Sequence, residues 1–343
     1  MSNPSPTSQR KRDHVSINLS EDVESGRTNG FERYAFVPEA LPEIDLDDVR
    51  TDTTLFGRPL RLPFLISSMT GGAGDLATIN RRLAEAAQTC GVAMGVGSQR
   101  AAIEDARLAS SFDVRHHAPD ILLLANLGAA QLNAGYGVDA CRRAVDMIQA
   151  DALILHLNAL QEAVQPEGDT RWAGVLGHIA RLAPVLGVPI VAKEVGWGIS
   201  GATARRLVDA GVAAIDVAGA GGTSWSQVEM HRAATPAARA VAAAFVGWGL
   251  PTAESLVQVR AAAADTPVIA SGGIRDGVEA AKAIALGASL VGLAGPLLRA
   301  AHEDAVVEAI ETIGRTLRVA QFAIGAADLA SLRDHPALVR RAP

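Results

Sequence analysis

The chain has 343 residues, a net charge of −6, 49% hydrophobic residues, 33 glycines and two cysteines. That length suits one large domain with extensions, and the acidic balance argues against a nucleic-acid partner. Cys90 and Cys141 are too few for a disulfide framework or a cysteine zinc site, so a reducing cytoplasm is the expected compartment.

Residues 1–9 are rich in Ser, Pro and Thr without an apolar signal core, and a disordered leader is expected there. Arg10-Lys11-Arg12-Asp13-His14 opens an extension reaching residue 61. Alone, such a cluster reads as solvated basic surface. Eight short apolar runs follow: Pro63–Ser67, Val92–Val96, Ile121–Asn126, Ala152–Leu157, Pro189–Val195, Ala214–Ala218, Pro267–Ala270 and Leu290–Leu293. They are continuous rather than alternating, as strands covered on both faces are. Helical spacing fills most of the gaps. Leu76, Ile79, Leu83, Ala87 and Cys90 recur on one face before Gly91, and Ser200 can cap a helix ending at Gly211. The expected fold is α/β, a single (β/α)8 TIM barrel over residues 62–332 with an N-terminal extension and a short basic tail over 333–343. An open doubly wound sheet is the alternative, and eight units with paired late glycine loops favour closure. The Ala-rich stretch Ala233–Leu250 is broken by Pro236 and Arg239 and makes a poor membrane span.

In such a barrel the strand ends carry the chemistry. Ser271-Gly272-Gly273-Ile274-Arg275 and Ala294-Gly295-Pro296 follow the last two strands, a pair of glycine-bearing loops suited to a phosphate. Lys193 ends an apolar strand; it is either a ligand contact or a structural lysine paired with a carboxylate. His156 and Asn158 share one side of their strand, and Gln161 and Glu162 lie just beyond. His156 alone reads as a satisfied core histidine, and Glu162 as an exposed carboxylate at a helix start. One carboxylate with phosphate oxygens and water is also how Mg²⁺ is commonly held. Ser98 and Arg100 offer a second set of anion contacts, so two phosphorylated ligands are expected, a cofactor and a substrate. Gly219-Ala220-Gly221-Gly222-Thr223-Ser224-Trp225 reads as a flexible loop covering the site.

Taken together, Arg10-Lys11-Arg12-Asp13-His14, Ser67-Ser68-Met69-Thr70-Gly71-Gly72, Gly95-Val96-Gly97-Ser98-Gln99-Arg100, His156-Leu157-Asn158 with Gln161-Glu162, Val191-Ala192-Lys193-Glu194 and Gly247-Trp248-Gly249 resemble type 2 isopentenyl diphosphate isomerases, the flavin-dependent form. The resemblance runs from Arg10 past Pro296. It implies an FMN- and Mg²⁺-dependent enzyme interconverting isopentenyl and dimethylallyl diphosphate. FMN would meet Ser68, Met69, Thr70, Ser98, Asn126, Lys193 and Thr223, with its phosphate at Gly272, Gly273, Arg275, Ala294 and Gly295. The substrate would meet Arg10, Lys11, Ser98, Arg100, His156, Asn158 and Gln161, and Glu162 would hold the metal. Gln161, Lys193 and His156 are the implied catalytic residues. The resemblance also implies a cytoplasmic homo-oligomer, a tetramer or octamer. The flavin must arrive reduced, with NADPH as the expected donor, and the chain has no dinucleotide motif of its own.

Three other readings compete. An FMN oxidoreductase for hydroxy acids would carry a histidine and an arginine in the loop after the sixth strand, which has neither. A nucleotide dehydrogenase would place a cysteine there, and both cysteines fall in helical patterns. A non-catalytic flavin protein would have no use for Gln161, Glu162 and the Arg10-Lys11 pair.

Overall fold

The computed structural model describes residues 6–69 and 76–341. Among them, eight parallel strands close into a barrel: β1 Phe64–Ile66, β2 Ala93–Gly95, β3 Leu123–Gly128, β4 Ala152–Leu157, β5 Ile190–Glu194, β6 Ala214–Asp216, β7 Val268–Ser271 and β8 Leu290–Leu293. Neighbours in sequence are neighbours in space, and β8 pairs with β1 to close the ring.

The helices form where the sequence signals them. Ala77–Cys90 stops at Gly91, whose φ of 65° returns its N–H to the Ala87 carbonyl. The Ser200 hydroxyl accepts the Thr203 N–H at the start of Gly201–Asp209. Asp276 accepts two N–H groups, at 2.9 and 2.8 Å, at the start of Gly277–Ala285.

The period of two along a strand sorts the residues into two cores. Phe64, Ile66, Leu123, Leu153, Leu155 and Ala192 point outward into the layer between strands and helices. Leu65, Leu124, Ile154, Val191, Ala214, Ile269 and Leu290 fill the barrel. Burying one such leucine contributes about 1.5–3 kcal/mol. Leu55 and Leu60 join the inner core from a hairpin of Thr53–Leu55 and Arg58–Leu60. Arg58 and Arg115 both bind Asp151 beside it, at 2.6 and 3.0 Å. The hairpin therefore plugs the lower mouth, and ligands enter from the upper, C-terminal end of the strands.

Three segments differ from expectation. Residues 1–5 of the expected leader lie outside the described residues, and residues 6–9 open a helix, Pro6–Ser20. The C-terminal tail is not free: Leu338–Arg340 pairs antiparallel with Tyr34–Phe36. The glycine loop after β6 is fastened rather than loose. Ser25 N–H donates to Gly222 O and Ser224 N–H to Val23 O, both at 2.8 Å. Among the described residues no helix is long and apolar enough to cross a membrane.

Candidate active site

Two residues beyond each innermost apolar position, the same alternation brings Ser67, Gly95, Asn126, His156, Lys193, Asp216, Ser271 and Gly292 to the top of the barrel interior. Six polar side chains thus form a ring, and two glycines leave room in it. A Cβ on Gly292 would lie 2.6 Å from the Ser271 Cβ and 2.7 Å from the Ser67 hydroxyl. The ring floors a cavity of about 470 Å³, a size usual for cofactor and substrate sites. Every residue expected to touch cofactor, substrate or metal lines this cavity except Thr70, which lies outside the described residues.

The glycine corner is a backbone stack. The N–H of Gly273 would lie 2.7 Å from a Cβ on Gly222, and Gly273 itself sits at φ 73° against the Gly221 carbonyl. Asp276 caps its own helix, so that helix start is already satisfied. The helix Gly295–Glu303 has no side-chain cap, and its first residues line the cavity. Its open N–H groups are the better anion seat. Arg275 stands at the rim, 3.4 Å from Glu24. Arg299, which the sequence reading passed over, lines the same corner. Gly273→Ala is expected to destabilise the fold by more than the ~1–3 kcal/mol of strain at that φ, because its Cβ would also press into the Gly221 backbone; denaturant unfolding measures the loss.

On the opposite side the helix Pro6–Ser20 leans over the opening. Lys11 donates to the Ser98 carbonyl at 2.5 Å and sits 5.0 Å from the Phe112 ring centre. Burial, with Arg10 next to it, lowers the Lys11 ammonium to about 7. Arg100 is held by Glu104 at 2.7 Å. His156 accompanies Asn126, Nδ1 to Oδ1 at 2.8 Å, while the Asn126 amide nitrogen donates to Val96 O. Nδ1 therefore carries the proton and Nε2 keeps its lone pair. Burial, then Lys193, Lys11 and Arg10, push His156 down to about 3.

An anion entering this cluster favours the protonated forms of both groups. Binding of inorganic diphosphate near pH 7 is expected to take up protons, measurable by calorimetry in buffers of different ionisation enthalpy; no uptake would contradict these assignments. A second consequence follows from linkage. The folded value of His156 lies below the ordinary 6.5, so its contribution to stability is present above 6.5 and is lost as pH falls toward 3. His156→Gln is expected to flatten the stability profile in that window.

A buried network sits beside β4. Asn158 Nδ2 donates to Glu162 Oε1 at 2.9 Å and to Gln161 Oε1 at 3.2 Å. Glu162 Oε2 accepts the Asp169 N–H at 2.6 Å. Gln161 Nε2 donates to Glu229 Oε1 at 3.1 Å. Glu229 is fully buried and also binds His14 at 2.9 Å and Arg232 at 2.5 Å. Burial pushes its carboxyl up, but His14 and Arg232 outweigh that and hold it below the usual range. Sequence reading missed Glu229 because nothing local marks it; its partner His14 is 215 residues away.

Among the described residues Ser67 Oγ, Ser68 Oγ and Asn158 Oδ1 are buried without a hydrogen-bond partner. Such atoms call for a ligand. Orphan hydroxyls, a lysine, a glycine stack and an open helix start together fit a flavin with a phosphate tail. Among the described residues no group of three His, Cys, Asp or Glu side chains gathers to hold a metal. Glu162 offers one carboxylate to the cavity.

Fold and site define a flavin-binding barrel. A profile of the FMN-dependent dehydrogenases matches residues 18–118 and 143–340. Mandelate oxidase superposes with a TM-score of 0.65 at 20% identity, covering 98% of this chain and all of that one. A lactate oxidase of Pediococcus acidilactici superposes at 0.69 and 17%, covering 98% and 94%; at these identities the likeness speaks for the fold alone. Isopentenyl-diphosphate delta-isomerase of Stutzerimonas stutzeri is 60% identical over 95% of both chains, and that of Nostoc sp. 51% over 99% and 98%. The chain belongs to the isopentenyl-diphosphate delta-isomerase family, within the FMN-dependent dehydrogenase fold.

Proposed function

We propose that this chain interconverts isopentenyl and dimethylallyl diphosphate by a 1,3-allylic proton shift, using reduced FMN and Mg²⁺. The observation that carries the reading is one cavity lined both by the glycine corner and by the cationic set Arg10, Lys11 and Arg100.

The reaction adds a proton to one carbon and removes one from another, with no net redox change. Protonating an unactivated alkene builds tertiary-carbocation character, which needs a dry site with preorganised charge. Reduced FMN, when bound, supplies an electron-rich ring and an exchangeable N–H. Lys193 holds an ammonium at the cavity floor, where it favours negative charge on the reduced ring. Gln161 has one N–H on Glu229 and accepts from Asn158, so its second N–H remains for the cavity. It orients the reacting carbons or relays a proton, and Glu229 fixes its amide. Arg10, Lys11, Arg100 and, once protonated at Nε2, His156 grip the diphosphate, whose binding energy positions the alkene. Glu162 would be the residue that holds Mg²⁺, and the metal would help neutralise the diphosphate. The same reading takes NADPH as the reductant and the protein as a cytoplasmic homo-oligomer.

Purified protein is assayed with isopentenyl diphosphate, FMN, Mg²⁺ and a reductant, each omitted in turn. Dimethylallyl diphosphate is expected only with all four. No product despite bound, reducible FMN would overturn the reading.

A further inference from the structure

Lys193 is not alone at the cavity floor. Its neighbour across the β5–β6 ladder is Asp216, a carboxylate with no exposure at all. Asp216 Oδ1 accepts the Ser271 hydroxyl at 2.5 Å. Among the described residues Oδ2 has no hydrogen-bond partner, and it lies 3.9 Å from the Lys193 ammonium. Lys193 and Ser271 line the cavity, and Asp216 stands behind them. The arrangement is a buried ion pair under the cofactor site, joined by charge rather than by a direct hydrogen bond. Lys193 gives its hydrogen bond to the Glu194 carbonyl instead, at 2.7 Å.

A buried carboxylate costs several kcal/mol of lost hydration unless a cation and donors compensate it. Here burial pushes the Asp216 carboxyl up, against the pull of Lys193, the Ser271 hydroxyl and the Ala218 N–H. A purely structural position would be served by an apolar residue, as Ala214 serves two residues earlier in the same barrel interior.

We infer that Asp216 is a positioning and tuning residue for the flavin: its carboxylate offsets part of the Lys193 charge and so sets how strongly the site favours the reduced, anionic ring. The inference rests on the reading of the cavity as an FMN site. A lone ammonium in a dry pocket would over-stabilise the anionic ring; a paired one moderates it.

The test is the FMN midpoint potential of the holoenzyme in wild type and Asp216→Asn, at neutral pH, with FMN content measured on the same samples. The amide keeps the size of the side chain and an acceptor for Ser271 while removing the charge. The expected result is retained FMN and a positive shift of at least about 30 mV, a tenfold change in a two-electron equilibrium. Asp216→Glu, which restores the charge, is expected to return most of the way. Asp216→Ser, which leaves room for a water, serves where the amide does not fold. An unchanged or more negative potential with FMN bound would overturn the inference and leave Asp216 a scaffold residue. Wild-type protein that holds no FMN would overturn the cofactor reading itself, a distinct failure.

Discussion

Lys193→Ala is expected to lower turnover by about 10²–10³-fold and to loosen FMN at the same time. The position is fixed by alternation: Val191 fills the barrel, so the next inward residue on β5 reaches its upper rim. The side chain is nine-tenths buried, so its charge acts in a medium of low polarity. Removing it withdraws the main cation of the floor and leaves Asp216 as an uncompensated buried carboxylate. Both effects oppose an anionic reduced ring. Activity and FMN retention should therefore fall together, read from assay and from the flavin absorbance that survives gel filtration. Full activity with bound FMN would remove Lys193 from the account.

Glu162→Gln is expected to raise the Mg²⁺ concentration for half-maximal activity by about 10–100-fold. Glu162 is buried and both its oxygens accept hydrogen bonds, from Asn158 and from the Asp169 N–H. These donors hold the carboxylate in one rotamer, facing the cavity with its remaining lone pairs. A glutamine has one acceptor oxygen for two donors, so about 1–3 kcal/mol of stability should also be lost. The two consequences separate experimentally. Denaturant unfolding without metal reports the second, and a Mg²⁺ titration of activity reports the first. An unchanged metal dependence would mean that Mg²⁺ is held elsewhere.

Much of this molecule was legible because a strand's period is rigid. His156, Asn126 and Lys193 are polar residues at the ends of apolar runs, and that local signature put them in the barrel mouth. Asp216 has the same signature, one strand further on, and was overlooked inside the run Ala214–Ala218. The glycine corner was legible from its sequence. Which of its two helix starts is open depends on Asp276 folding back on its own helix. Glu229 left no trace, because its role arises when Trp225–Arg232 meets Pro6–Ser20 and Gln161 in space. The pairing of the C-terminal tail with Tyr34–Phe36 and the hairpin plug are likewise long-range contacts between short segments that carry no pattern of their own.

A proton shift along the substrate chain that consumes no electrons leaves two signatures, solvent hydrogen in the product and an unspent reductant. It is tested most directly by running the reaction in D₂O with pre-reduced FMN, following product by NMR and reductant by absorbance. The expected result is dimethylallyl diphosphate carrying deuterium from solvent, with many turnovers for each reductant consumed. Product formed with one reductant spent per turnover, or product free of solvent deuterium, would contradict it.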